Sequence, residues 1–88
     1  MAAIRYAADP EGAVAVVELD GLSALFHAPS GTTHIVAPPA PEILAALREG
    51  PADAAELLRR LRLHYEIEGD AVEARLEELA AAGLVRRA

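Results

Sequence analysis

The chain changes period once, at Pro38-Pro39, and no other feature limits its fold as much. Before that pair, β-formers alternate around turn residues; after it, apolar residues recur at helical spacing. A block of strands followed by a block of helices points to an α+β domain rather than to alternating βαβ units. With 88 residues there is room for one domain, 1–88, with one core.

The strand block reads in three pieces. Ala13 to Leu19 is rich in Val and free of Gly and Pro. Asp20-Gly21 follows, a pair suited to the type I′ turn because both positions need positive φ. Leu22 to Ala28 returns as a second strand, Pro29-Ser30-Gly31 turns the chain again, and Thr32 to Ala37 forms a third. Such short connections give an antiparallel meander with the third strand at an edge. A two-residue turn sets Leu19 against Leu22, Val17 against Ala24 and Ala15 against Phe26. The face carrying Val17, Leu19, Leu22 and Phe26 is then expected to be the core face. The other face, with Val14, Val16, Leu25 and His27 beside Glu18 and Ser23, is half apolar and invites a cover of its own.

The helix block also reads in three pieces. Pro41 to Glu49 has Pro in its first turn, Glu42 at its positive end and Gly50-Pro51 as a stop, with Ile43, Leu44 and Leu47 as the buried stripe. Asp53 to Glu56 resembles a capping box opening a second helix, along which Leu57, Leu58, Leu61 and Tyr65 recur. Glu66 to Gly69 is a loop, and Asp70 is expected to cap a third helix with Val72, Leu76 and Leu79 on one face. Gly83 suits the left-handed position after that helix, Leu84 can pack back on it, and Leu84-Val85 can extend a short tail. The expected order is β-β-β-α-α-α. Residues 1–12 stay open: Ile4 and Tyr6 could pair as an irregular strand or lie across a face.

Composition removes several functions. The net charge is −6, a poor start for contacting phosphates or anionic lipid. Cysteine is absent, so disulfides and thiolate–metal sites are excluded. No leader-like opening and no apolar run near 18 residues is present, so the chain is expected in the cytoplasm, without a membrane partner.

Candidate chemistry is sparse. His27 and His34 lie opposite each other if Ser30-Gly31 is the loop, but a longer turn would separate them, and no third ligand accompanies them. His64 beside Tyr65 reads as a solvated residue at a helix end. Ser23, Ser30, Thr32 and Thr33 have no recognisable nucleophile setting, and Gly31 and Gly69 are isolated turn residues rather than a phosphate loop. Glu73, Glu77 and Glu78 fall opposite the apolar face of the third helix, as a solvated face does. Catalysis, a metal and a cofactor are therefore not expected. Arg59, Arg60 and Arg62 form the one basic cluster, but Glu56, Glu66 and Glu68 accompany it, and a groove-reading third helix would offer only Arg75 in its interior. A winged-helix DNA-binding regulator is thus the weaker alternative. A structural protein–protein module using Val14, Val16 and Leu25 is another.

The third strand carries no Lys, Glu or Pro to discourage pairing. Such an edge can accept an extended peptide as an added strand. It could equally be guarded by the N-terminal residues or by a homodimer.

Several segments carry a resemblance: Glu18-Leu-Asp-Gly-Leu22, His27-Ala-Pro-Ser-Gly-Thr-Thr-His34, Pro41-Glu-Ile-Leu44 and Leu76-Glu-Glu-Leu-Ala-Ala-Ala-Gly-Leu-Val85. Through them the stretch from Glu18 to Ala88 resembles the PqqD-like family of RiPP recognition elements, and more narrowly its HPr-rel-A system PqqD family peptide chaperones. The resemblance implies a winged helix-turn-helix-like module that binds a precursor leader peptide and brings it to a modifying enzyme. It implies pairing of the leader with Thr32, Thr33, His34, Ile35, Val36 and Ala37, against a wall of Val72, Arg75, Leu76 and Leu79. It also implies an operon partner related to HPr kinase. The aromatic-rich first strand common in that family is reduced here to Val and Ala.

Overall fold

Asp20 and Gly21 take φ of +45° and +90°, so the turn between the first two strands of the meander is the two-residue kind that suits their twist. The structure, a computed structural model, describes residues 3–9 and 14–88. Its elements are β1 (Arg5–Ala8), β2 (Val14–Leu19), β3 (Leu22–His27), β4 (Thr32–Val36), α1 (Ala40–Leu47), β5 (Ala52–Asp53), α2 (Ala54–Arg62), α3 (Gly69–Ala81) and β6 (Val85–Arg87). The expected antiparallel meander followed by three helices is present as β2-β3-β4 and α1-α2-α3. Ala13, expected to start the first strand, and residues 10–12 lie outside the described residues.

The register of β2 on β3 is the expected one, with Leu19 opposite Leu22, Val17 opposite Ala24 and Ala15 opposite Phe26. The next turn spans residues 28–31, with Gly31 at φ +69° and its N–H donating to the His27 carbonyl at 2.8 Å. His27 therefore opposes Thr32, and His34 opposes Leu25. The two histidines share a face but are offset by two residues.

The core face of the meander is the reverse of the expected one. Leu25 is fully buried, Ser23, His27 and Val36 are buried, and Val17, Leu19, Leu22 and Phe26 face outward. Alternation decides only that these two sets lie on opposite faces. Which set goes inside is decided by what packs there. Leu25 and Val36 join one apolar cluster with Ile43, Leu44 and Leu47 of α1, Leu57 and Leu61 of α2, and Val72, Leu76 and Leu79 of α3. Polar Ser23 and His27 are carried inward with them. His27 is accommodated because both its ring nitrogens are hydrogen-bonded.

Residues 5–8 form a strand at the centre of a second sheet, ordered β5-β1-β6. Arg5 pairs with Asp53, and Tyr6 with Ala52 on one side and Arg87 on the other. Tyr6 and Ala8 pack against the core, whereas Ile4 is exposed.

Asp53 caps α2, its Oδ1 accepting the Glu56 N–H at 2.8 Å. Only this half of a capping box forms, because the Glu56 carboxylate is taken by Arg59 and Arg60. α2 ends at Arg62, so Tyr65 lies beyond it and is half-exposed. α3 starts at Gly69 with Glu68 as its N-cap, which places Asp70 inside the first turn rather than at the cap. Gly83, at φ +79°, closes α3: its own N–H donates to Ala80 and that of Leu84 donates to Leu79. Leu84 is buried behind this turn, as the paired bonds and apolar contact of a Schellman ending require.

Candidate functional site

Among the described residues, β4 is paired on one side only. A two-residue turn makes Leu19 and Leu22 a hydrogen-bonded pair, and antiparallel pairs alternate, so Ser23, Leu25 and His27 turn their backbone groups to β4. Their partners Val36, His34 and Thr32 bond inward. Thr33 and Ile35 consequently direct their N–H and C=O groups outward. Thr32, Thr33 and Ile35 are exposed, Ile35 by 58%; His34 and Ala37 are partly buried, and Val36 is buried. The described N-terminal residues pair with β5 and β6, not with this edge.

The turn leading into β4 is held by a chain of polar contacts. Asp9 Oδ2 lies 2.7 Å from His27 Nε2, His27 Nδ1 lies 2.7 Å from Ser30 Oγ, and Ser30 Oγ lies 2.7 Å from Thr32 Oγ1. Thr32 Oγ1 in turn lies 3.1 Å from His34 Nε2. The hydrogen bond from His27, then the Arg86 guanidinium on the other oxygen at 2.9 Å, holds the Asp9 carboxyl below its usual value against the opposing effect of burial. These are the atom types of a hydrolytic triad. However, the Ser30 hydroxyl is shared among His27, Thr32 and the His27 carbonyl, which it reaches at 3.4 Å. The network shapes the turn and fixes the start of the β4 edge.

At the other end of β4 a cleft of about 570 Å³ opens. Pro38, Pro39, Ile67 and Ala71 supply its apolar lining, Glu42, Glu66 and Glu68 its acidic groups, and His64 and Tyr65 stand in edge-to-face contact along it. Burial pushes the Glu42 carboxyl above its usual value, helped by the charge of Glu18. The structure thus brings the end of β4 and the start of α3 to one cleft, but through Ala71. Val72, Leu76 and Leu79, expected as the helix wall, are each 1% exposed and belong to the core. Arg75 pairs with Glu78, and its Nε is buried without a partner. Pro38, Pro39, Ile67 and Ala71 escape a sequence reading, since they mark boundaries and a loop there. A Pro-Pro pair directly after an edge strand is a usable signal, because it offers a rigid apolar surface with no N–H to satisfy.

The basic cluster is occupied internally. Glu56 binds Arg59 at 2.6 Å and Arg60 at 3.3 Å, and the Arg59 bond chiefly holds the Glu56 carboxyl down at about 2. Arg60 also donates to the Ala46 and Gly50 carbonyls at 3.2 and 2.9 Å, closing the end of α1, and Arg62 donates to Ile67. Among the described residues no helix is long and apolar enough to cross a membrane.

No protein-family model matches the chain, and no curated protein matches it. A solved structure described as "TbiB1 in Complex with the TbiA(beta) Leader Peptide" is similar over 89% of this chain and 94% of that one, with 22% identity and a TM-score of 0.55. At that identity the likeness is one of fold, and it takes in the meander and the helices together.

Proposed function

We propose that this chain is a non-catalytic cytoplasmic adaptor that takes an extended leader peptide as an added strand on β4 and presents it to a modifying enzyme. The observation that carries the reading is the outward backbone of Thr33 and Ile35 on an edge that is unpaired among the described residues and runs into an apolar cleft. Main-chain bonds along such an edge give affinity, and a pocket for a side chain gives selectivity. The fold likeness to a protein solved with a leader peptide bound supports the reading, as does the resemblance carried by the turn 27–34. The same resemblance suggests an operon partner related to HPr kinase as the candidate for that enzyme.

The binding surface is Thr32, Thr33, His34, Ile35, Val36 and Ala37, continued by the cleft. Helix three takes part through Ala71, while Val72, Leu76 and Leu79 support it from the core. The acidic groups around the cleft suit a leader with an apolar anchor followed by Lys or Arg, and a chain of net charge −6 attracts such a peptide at long range. A duplex-binding role has less to stand on, since Arg59, Arg60 and Arg62 already serve Glu56, α1 and Ile67.

The test is selection from a display library of random extended peptides, followed by amide exchange on the labelled protein. Binders should protect the Thr33 and Ile35 amides and be enriched in Lys or Arg beside an apolar residue. Ile35→Pro, which removes an outward donor and not a ladder donor, should weaken them by tenfold or more. Binders that leave β4 unprotected overturn the strand-addition mechanism. Submicromolar, salt-sensitive affinity for duplex DNA would favour a regulator instead.

A further inference from the structure

The outer face of the meander has no cover among the described residues. By register, Ala15, Val17 and Leu19 of β2, Leu22, Ala24 and Phe26 of β3, and Thr33 and Ile35 of β4 share it. Val17 is 57% exposed, Leu19 and Leu22 44%, and Phe26 43%. The helices lie on the opposite side, over Leu25 and Val36. Among the described residues no charged side chain belongs to this face; Glu18 points to the helix side, where its charge is felt by Glu42.

We infer that two copies of this chain associate face to face through this sheet surface. Five large side chains, each exposed by about half, make a patch of roughly 500 Å², a size at which surface patches are commonly functional. Two such patches together bury about 1,000 Å², the lower bound for a specific interface, and Ala15, Ala24 and Thr33 add to it. A second copy fits because it brings a sheet of the same twist, and twisted sheets pack in layers when their strand directions nearly align. A two-fold axis then makes the surface its own complement. Copies of net charge −6 repel one another, and that repulsion is least on this face, which carries no carboxylate among the described residues. Packing in this way leaves the outer edge of β4 free, so the association does not depend on the adaptor reading.

The test is sedimentation equilibrium on the full chain across concentrations up to about 1 mM, with a dissociation constant in the micromolar range expected for an interface this small. Phe26→Glu and Val17→Lys, each on this face, should weaken the dimer by tenfold or more while leaving in place the melting curve of the protein diluted to the monomer. Val17→Lys carries the test if Phe26→Glu does not fold. Leu63→Glu alters a more exposed side chain off this face and should leave the dimer unchanged. A chain monomeric at every concentration, or a dimer indifferent to both face substitutions, overturns the inference. Peptide capture is read separately at the Thr33 and Ile35 amides, so a monomer that still binds peptide defeats the dimer alone.

Discussion

His27 reaches from the end of β3 to Asp9, just past the end of β1, and the two side chains meet at 2.7 Å with the histidine almost wholly buried. They tie one sheet to the other. A carboxylate only accepts, so Nε2 carries the proton, and in the neutral ring Nδ1 accepts from the Ser30 hydroxyl. One imidazole thus joins the inter-sheet contact to the turn that launches β4.

This contact makes stability depend on acid. The Asp9 carboxyl is held below its ordinary value, first by His27 and then by Arg86. Its contribution is therefore present above about pH 4 and is lost as the pH falls through the lowered value. Asp9→Asn should have a lower urea midpoint than the parent chain at neutral pH, and the gap should close towards pH 2. Glu56 loses its charge at about 2 in both proteins, so the difference between their curves isolates Asp9.

Glu42 should behave in the opposite sense. Burial raises its carboxyl, so the charged form is a cost to the fold that appears as the pH rises past its ordinary value. Glu42→Gln should raise the melting temperature at neutral pH, with the gain vanishing in acid. If the cleft receives a cationic leader, the same substitution should weaken binding. A gain in both properties would show that Glu42 does not meet the peptide.

The cap of α2 offers a local check. Asp53→Ala removes the acceptor for the Glu56 N–H and should cost about 1 kcal/mol in denaturant unfolding. Asp53→Asn, which keeps an acceptor oxygen, should lose only part of that.

The helical phase of α3 is tested by neighbours. Leu76 is 1% exposed, and Leu76→Ala should cost roughly 2–5 kcal/mol, whereas Glu77 is exposed and Glu77→Ala should be nearly neutral. Comparable losses in unfolding midpoint would contradict the packing described.

Local chemistry made much of this fold legible. Asp20-Gly21 dictates the β2–β3 register through its φ angles, Asp53 marks the start of α2, and Gly83 marks the end of α3. Ile43, Leu44, Leu47, Val72, Leu76 and Leu79 are buried where their spacing puts them. The inward face of the meander was not legible, because both faces are apolar and the choice depends on what Leu25 and Val36 meet across the core. The second sheet was hidden for a different reason. Its strands at 52–53 and 85–87 are too short to carry an alternating pattern, and β1 acquires its meaning only from them. At the candidate site, the edge character of β4 follows from connection lengths alone. The cleft does not, since Pro38 and Ile67 are brought together only by the packing of helices.

Because β1 sits between β5 and β6, the order of synthesis and the order of folding conflict. Tyr6 is made well before Arg87, yet the two residues pair. The helices can form early from local contacts, while the pairing of β1 with β6 closes a loop that holds the meander and all three helices, the slowest kind of contact to establish. On the ribosome β1 can pair with Ala52–Asp53 on one side, but its other side waits until Val85–Arg87 has been made. Deleting Val85–Arg87 would accordingly leave β1 paired on its β5 side alone and strip Asp9 of Arg86, so that His27 is its one remaining partner described above.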